Sequence, residues 1–239
     1  MGFVRQVAAL LFIIALPVAF VTTNVRVAVN EPRLYEYSID HHDAVKTTGI
    51  EREELLRGSD ELRGYFNSDE TALAVQVSQD GQQAPLFTPR ETQHLQDVKT
   101  LFRQSFRVQE AAVIFVLAYV VAVFIWAQEV SLRALAGQVL TSALVGLAVI
   151  GVVGALAVTG FDQSFEQFHQ IAFDNDLWRL DPDRDRLIQM FPEAFWRDVS
   201  VWIGLATMAE LALAGLLSAV YLGLTRRSPV RLAPAGGAA

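Results

Sequence analysis

The chain has 239 residues, of which four are histidine and none is cysteine, so its chemistry rests on imidazoles, carboxylates and hydroxyls rather than on a thiol. Two of the histidines stand in segments dense with polar and aromatic residues. The first is Glu91-Thr92-Gln93-His94-Leu95-Gln96-Asp97-Val98-Lys99, and the second runs from Phe168-His169 to Asn175-Asp176-Leu177-Trp178. His94 and Asp97 are three residues apart, which on a helix places them on one face. A carboxylate there fixes the tautomer of an imidazole and leaves its second nitrogen as a base. His169, at the edge of an aromatic run, offers a second proton-transfer group. Two such imidazoles at one surface suit general acid–base catalysis near neutral pH. Taken singly, each histidine is also compatible with a solvated surface position.

Other chemistries find less support. There is no His-Glu-x-x-His motif and no cysteine to build a soft metal site. Asp181, Asp183 and Asp185 echo the start of a calcium loop, but Arg186 stands where the glycine is needed and Pro192 where the closing glutamate belongs. A zinc held by His94, Asp97 and His169 is possible in residue type, but no spacing favours it. No metal or other cofactor is expected. No Gly-x-Ser-x-Gly nucleophile turn is present, and Ser105 and Ser164 have no distinguishing context. His41 and His42 are adjacent, an arrangement that rarely aims two rings into one site, and they read as a solvated loop. Glu210, near the middle of an apolar run, is expensive in lipid. It is expected to be a neutral acid bonded to Thr141, Ser142 or Gln138. The net charge of −7 argues against a nucleic-acid partner.

These residues must be positioned by a membrane scaffold. Apolar residues are 52% of the chain, and its mean hydropathy is +0.32. Four runs, roughly 3–23, 111–127, 137–158 and 199–224, approach or exceed the ~20 residues that cross a hydrocarbon core. The expected organisation is an uncleaved anchor helix at 1–23, an extracytoplasmic segment at 24–110 and a second helix at 111–127. A short loop at 128–136, a third helix at 137–158, a second extracytoplasmic segment at 159–198, a fourth helix at 199–224 and a tail at 225–239 complete it. Arg5, Arg133, Arg226, Arg227 and Arg231 flank the short connections, so both termini are assigned to the cytoplasm and the histidines to the opposite leaflet. The fold class is therefore membrane, mainly α. Four spans carry a small mixed α/β cap and interfacial amphipathic helices.

Within the cap, 51–67 has helical apolar spacing, 72–78 alternates like a strand, and Asp80-Gly81 marks a turn before a second strand. Thr88, Pro89 and Glu91 form a capping box with proline at the first helical position. The helix that follows has an apolar stripe, so a bend near 103–110 is expected to lay it in the interface with His94 at head-group level. Phe161, Phe165, Phe168 and Ala172 mark an aromatic interfacial helix, and Asp181-Pro182 marks the start of another. Gly215, Ala219 and Gly223, and likewise Gly151 and Ala155, are spaced for close helix packing.

The two histidine motifs resemble the hallmarks of bacterial lipoprotein intramolecular transacylases (Lit). Leu187-Ile188-Gln189-Met190-Phe191-Pro192, Phe195-Trp196, Tyr35-Glu36-Tyr37 and Thr48-Gly49-Ile50 extend the likeness over nearly the whole chain, with four spans in matching order. The resemblance implies an enzyme of the bacterial cytoplasmic membrane. Its substrate is a diacylglyceryl-modified lipoprotein, presented among membrane lipids. The sn-2 acyl chain moves from glycerol oxygen to the α-amine of the terminal cysteine. The family's catalytic pair corresponds to His94 and His169, with Glu91, Asp97, Asn175, Asp176 and Trp178 as supporting residues. His94 oriented by Asp97 fits the base, and His169 fits the group that polarises the carbonyl or protonates the glycerol oxygen; the exchanged roles stay open. A hydrolase using the same histidines and a non-catalytic scaffold are the alternatives.

Overall fold

A computed structural model describes residues 2–79, 81–125 and 129–225. Asp80, the 126–128 connection and the 226–239 tail, which contains Arg226, Arg227 and Arg231, lie outside the described residues.

Four helices are long and apolar enough to cross a membrane: α1 (Gly2–Asn30), α5 (Pro89–Ile125), α6 (Glu129–Thr159) and α9 (Glu193–Leu224). Lipid replaces water around these helices, so they expose apolar side chains and satisfy their backbone internally. α1 sits at the centre of the bundle, packed against α5, α6 and α9, while α6 and α9 form a tight pair. Small residues permit that approach. A Cβ on Gly146 would lie 2.8 Å from Leu211 and 3.1 Å from Pro17, and one on Gly215 would lie 3.0 Å from the Cβ of Ala143. Gly151 and Gly223, expected to pack in the same way, face open space instead.

Polar side chains within the spans find partners on neighbouring helices. Ser142 donates to the carbonyl of Ile13, and Asn24 donates to both Thr207 Oγ1 and Glu210 Oε2 at 3.0 Å. Glu210 therefore bonds to α1 and not to Thr141, Ser142 or Gln138. The last of these accepts from Tyr119 at 2.9 Å.

The cap is built from both long connections. α2 (Pro32–His41), α3 (Ala44–Thr48), α4 (Arg52–Asn67) and the antiparallel pair β1 (Gln76–Gln79) and β2 (Gln82–Pro85) come from the first. α7 (Phe161–Ala172) and α8 (Arg186–Met190) come from the second. One core joins them: Ile50, Leu55, Leu62, Val77, Leu86 and Met190 are all buried. Burial of this kind contributes roughly 1.5–3 kcal/mol for each large aliphatic side chain.

Two expectations need correction. Where a bend is expected at 103–110, α5 runs as one uninterrupted helix of 37 residues. Its polar first half is held against the cap. Lys99 Nζ donates to the carbonyl of Glu70 at 2.5 Å and stacks on Tyr65 at 3.8 Å, while Arg103 bonds Ser68 O and Asp69. These partners satisfy the charged face without laying it on lipid. Of His41 and His42, both expected in a solvated loop, the first is exposed at a helix end and the second is half-buried in a turn. His41 ends α2 and stacks on Tyr37, whereas His42 turns inward beside Phe195, 3.8 Å from Asp198.

Candidate active site

α5 starts as its sequence dictates. Thr88 N donates to Glu91 Oε2 at 2.6 Å, and Glu91 N donates back to Thr88 Oγ1 at 3.3 Å. The other oxygen of the fully buried Glu91 accepts from Leu187 N at 2.6 Å. One carboxyl thus caps α5 and, from 96 residues away, the first turn of α8. His94 stands one helical turn beyond Glu91 on nearly the same face.

α7 supplies the partner. It leaves α6 at Gly160 and carries His169 near its C-terminal end, where the chain becomes extended at Phe173. The rings of His94 and His169 face each other with centroids 6.1 Å apart. Aromatic rings enclose the pair. Phe165, Phe168, Phe173 and Trp178 lie 4.3, 5.2, 5.6 and 5.0 Å from His169, and Phe173 also lies 5.1 Å from His94. Phe165 and Phe168 were legible as an apolar helix face. Phe173, just past the helix end, falls outside that period and gave no signal as a wall of the site.

The two imidazoles have different surroundings. His169 Nδ1 lies 2.7 Å from the carbonyl of Phe165, an acceptor, so Nδ1 carries the proton and Nε2 keeps its lone pair. His94 Nδ1 is enclosed and meets no hydrogen-bond partner. Burial pushes the His94 pKa down to about 4, helped by the neighbouring His169 and opposed by Asp97. Burial also lowers His169, against the hydrogen bond to Phe165. Both rings are therefore neutral at pH 7.

The remaining expected residues form a hydrogen-bonded network around the pair. Asp97 does not orient His94: its carboxylate accepts from Asn175 Nδ2 at 2.9 Å, and Asn175 Oδ1 takes Leu177 N at 3.0 Å. That link holds the 174–178 turn, and with it Trp178, against α5. The carboxylate of Asp176 points outward to Arg179 at 3.3 Å. Its carbonyl, with that of Arg179, accepts from Arg90 at 2.8 Å. Arg90 is a clamp that the sequence did not announce, because its partners are backbone atoms of a distant segment. With Asp97 committed to Asn175, the three side chains weighed for zinc do not converge. Among the described residues no group of three histidine or acidic side chains could hold a metal ion. Asp181, the first position of the calcium-loop echo, bonds Asp183 N and Arg184 instead.

A family model for the lipoprotein intramolecular transacylase Lit matches residues 10–196. The chain belongs to the Lit family. It is an integral membrane enzyme of the transacylase class. The in meso structure of Lit from Bacillus cereus superposes with a TM-score of 0.73 at 20% identity, covering 95% of this chain and 100% of that one. Two variants of that Lit give nearly the same result. One has a histidine replaced by arginine (TM-score 0.73, 20% identity, 93% of each chain), the other a histidine replaced by alanine (TM-score 0.74, 19% identity, 95% of this chain and 97% of that one). At this identity the likeness concerns the fold, which includes the four spans and the cap. No curated protein sequence matches the chain.

Proposed function

We propose that the chain moves the sn-2 acyl group of a diacylglyceryl-cysteine lipoprotein onto the α-amine of that cysteine, with His169 as base and His94 as hydrogen-bond donor. The observation that carries this reading is the His94–His169 pair itself, closed in by aromatic rings and with His169 Nε2 left free by the Phe165 carbonyl. Lit-family membership supports a lipoprotein substrate. The side of the membrane follows from the arginine asymmetry of the sequence, which assigns both termini to the cytoplasm and the cap to the outer leaflet.

The chemistry fits neutral imidazoles. Amine and ester belong to one substrate molecule, so holding them in contact supplies much of the acceleration without an enzyme nucleophile. His169 Nε2 takes a proton as the amine nitrogen attacks the ester carbonyl. The carbonyl oxygen becomes an oxyanion and accepts from the N–H of neutral His94. The imidazolium of His169 then returns its proton to the glycerol oxygen as the C–O bond breaks. One N–C bond forms, one O–C bond breaks, and both histidines end neutral. This assignment exchanges the roles first suggested by the His94–Asp97 spacing, because Asp97 binds Asn175 instead. The aromatic wall favours transfer over hydrolysis by leaving little room for water.

The test uses purified protein and a synthetic diacylglyceryl lipopeptide with a free N-terminus. Transfer gives an isomer, so fragmentation mass spectrometry after amine labelling is the readout. A blocked nitrogen and a free glycerol hydroxyl are expected. Loss of the acyl chain to water would identify a hydrolase, and unchanged lipopeptide with folded protein would remove the reading.

The pH profile has a defined sign. A histidine with a lowered pKa stays a free base further into acid, so the acidic limb of kcat should fall below pH 6.5, the ordinary histidine value. In kcat/KM the substrate amine, with pKa near ~7.7–8.0, adds a separate rise with pH. Single-turnover rates between pH 4 and 9 would separate the two, and an acidic limb in kcat at or above 6.5 would contradict the buried-imidazole account.

A further inference from the structure

We infer that residues 174–179 form a gate over the histidine pair, with Trp178 as its leaf and Arg179 as its latch, and that this structure is the closed state. The inference rests on the transacylase reading and adds to it the step by which a substrate enters. Both rings of the pair are shut away: His94 is 6% and His169 8% exposed. An amine must reach one ring and an ester carbonyl the other, so part of the enclosure has to move aside before a lipopeptide can bind.

The walls differ in what holds them. Phe165 and Phe168 belong to α7, the helix that carries His169 itself. Phe173 is buried and touches both histidines and Phe168. Trp178 has neither kind of support. It is half-buried, and its segment leaves the buried Phe173 and rejoins the cap core at Leu180. Between those two points the chain forms only bends and turns, and 174–176 are exposed. The indole lies on His169 at 5.0 Å, and the exposed Arg179 guanidinium lies over the same indole at 5.0 Å.

The ties on this segment are polar and lie at the surface. Arg179 reaches Glu166 of α7 at 4.0 Å and Asp176 at 3.3 Å. Asn175 donates to Asp97 at 2.9 Å, and Arg90 donates to the carbonyls of Asp176 and Arg179. Exposed ion pairs and cation–π contacts each contribute little. The segment can therefore release without disturbing the apolar core that positions α5 and α7. Arg179 acts through Trp178, so it is a positioning residue: its charge and its tie to α7 keep the indole on His169.

The chain has no cysteine, so Asp97→Cys with Asn175→Cys puts the only two thiols across the gate, where a short bis-thiosulfonate clamps it reversibly. Full-length protein in phospholipid nanodiscs is treated with diethyl pyrocarbonate, which modifies a free imidazole nitrogen, and the labelled histidines are mapped by mass spectrometry. In the parent, His169 should label about 10–10³ times more slowly than the exposed His41, as expected of a site open roughly 0.1–10% of the time. The clamp should stop labelling at His169 and leave His41 unaffected, and a thiol reductant should restore it. Arg179→Ala should raise the His169 rate about two- to fivefold, the worth of one exposed cation–π contact. Arg179→Lys should largely reverse that, and Arg184→Ala, outside the gate, should match the parent. Labelling of His169 that ignores both the clamp and Arg179 would mean that the site opens elsewhere, and would overturn the inference. With the diacylglyceryl lipopeptide, Arg179→Ala should lower kcat and KM together, because a looser gate is easier to enter and harder to close. A lower kcat with KM unchanged or raised would remove Arg179 as the latch. A parent whose His169 labelling follows the gate, but which leaves the lipopeptide unchanged, would keep the gate and remove the transacylase reading.

Discussion

His169→Ala is expected to lower the rate of acyl transfer by about 10²–10⁴, the range associated with a positioned general base. The His169 ring bonds the Phe165 carbonyl of its own helix, and the α7 C-cap uses only the His169 backbone carbonyl, so removing the ring leaves α7 and that cap in place. His94→Ala should cost a comparable ~10²–10³, because a neutral N–H aimed at a developing oxyanion acts only in the transition state. Glutamine separates the two roles. At position 94 it keeps an N–H donor and should recover part of the rate; at position 169 it offers no base and should recover none. Recovery at 169 and not at 94 would exchange the assignments. The double variant should be clearly worse than either single one, since a base and an oxyanion donor stabilise separate parts of the transition state. Single-turnover assays on protein with unchanged thermal unfolding give the comparison.

How much of this arrangement could be read beforehand follows from the range over which each signal acts. The α5 N-terminus was legible because Thr88, Pro89 and Glu91 complete a local motif, and the bonds Thr88 N to Glu91 and Glu91 N to Thr88 form as that motif requires. The four spans and the helices at 52–67 and 161–172 were legible from composition and period. α2 and α3 were not, since residues 32–48 lack a clear apolar repeat and are held by contacts from elsewhere. Ser38 donating to Met190 O, 152 residues away, is one of them. The spacing of His94 and Asp97 puts both on one face of α5 but carried no information on Asn175, which approaches from across the cap and takes the Asp97 carboxylate. The same holds for His42, whose half-buried ring meets Phe195 and Asp198 of α9. The absence of a bend in α5 has a related cause: the charged face that looked bound for head groups is satisfied by Ser68, Asp69 and Glu70 in the cap.

Glu91→Ala should be the most damaging change outside the histidines, for stability and catalysis together. The side chain accepts two backbone N–H groups, Thr88 N and Leu187 N, each at 2.6 Å, and is fully buried. Alanine leaves both donors shielded and unbonded, at ~1–3 kcal/mol apiece, so a loss of about 3 kcal/mol or more is expected. For a chain of this size that corresponds to an apparent Tm lower by roughly 6–12 °C. The catalytic consequence follows from position. Glu91 ties the turn that precedes His94 to the start of α8, and the segment leading into α8 carries Phe173, Asn175 and Trp178. Releasing that tie lets His94 and the aromatic wall move relative to one another. A displacement near 1 Å is enough to cost about 10²-fold in a reaction that depends on positioning. Glu91→Gln retains one acceptor but turns an N–H₂ toward a donor, so it should fall between alanine and the parent in both readouts. A loss of kcat with unchanged Tm would instead place Glu91 in direct contact with the substrate, and an unchanged Tm with unchanged kcat would show that the two cap segments are held together by their apolar core alone.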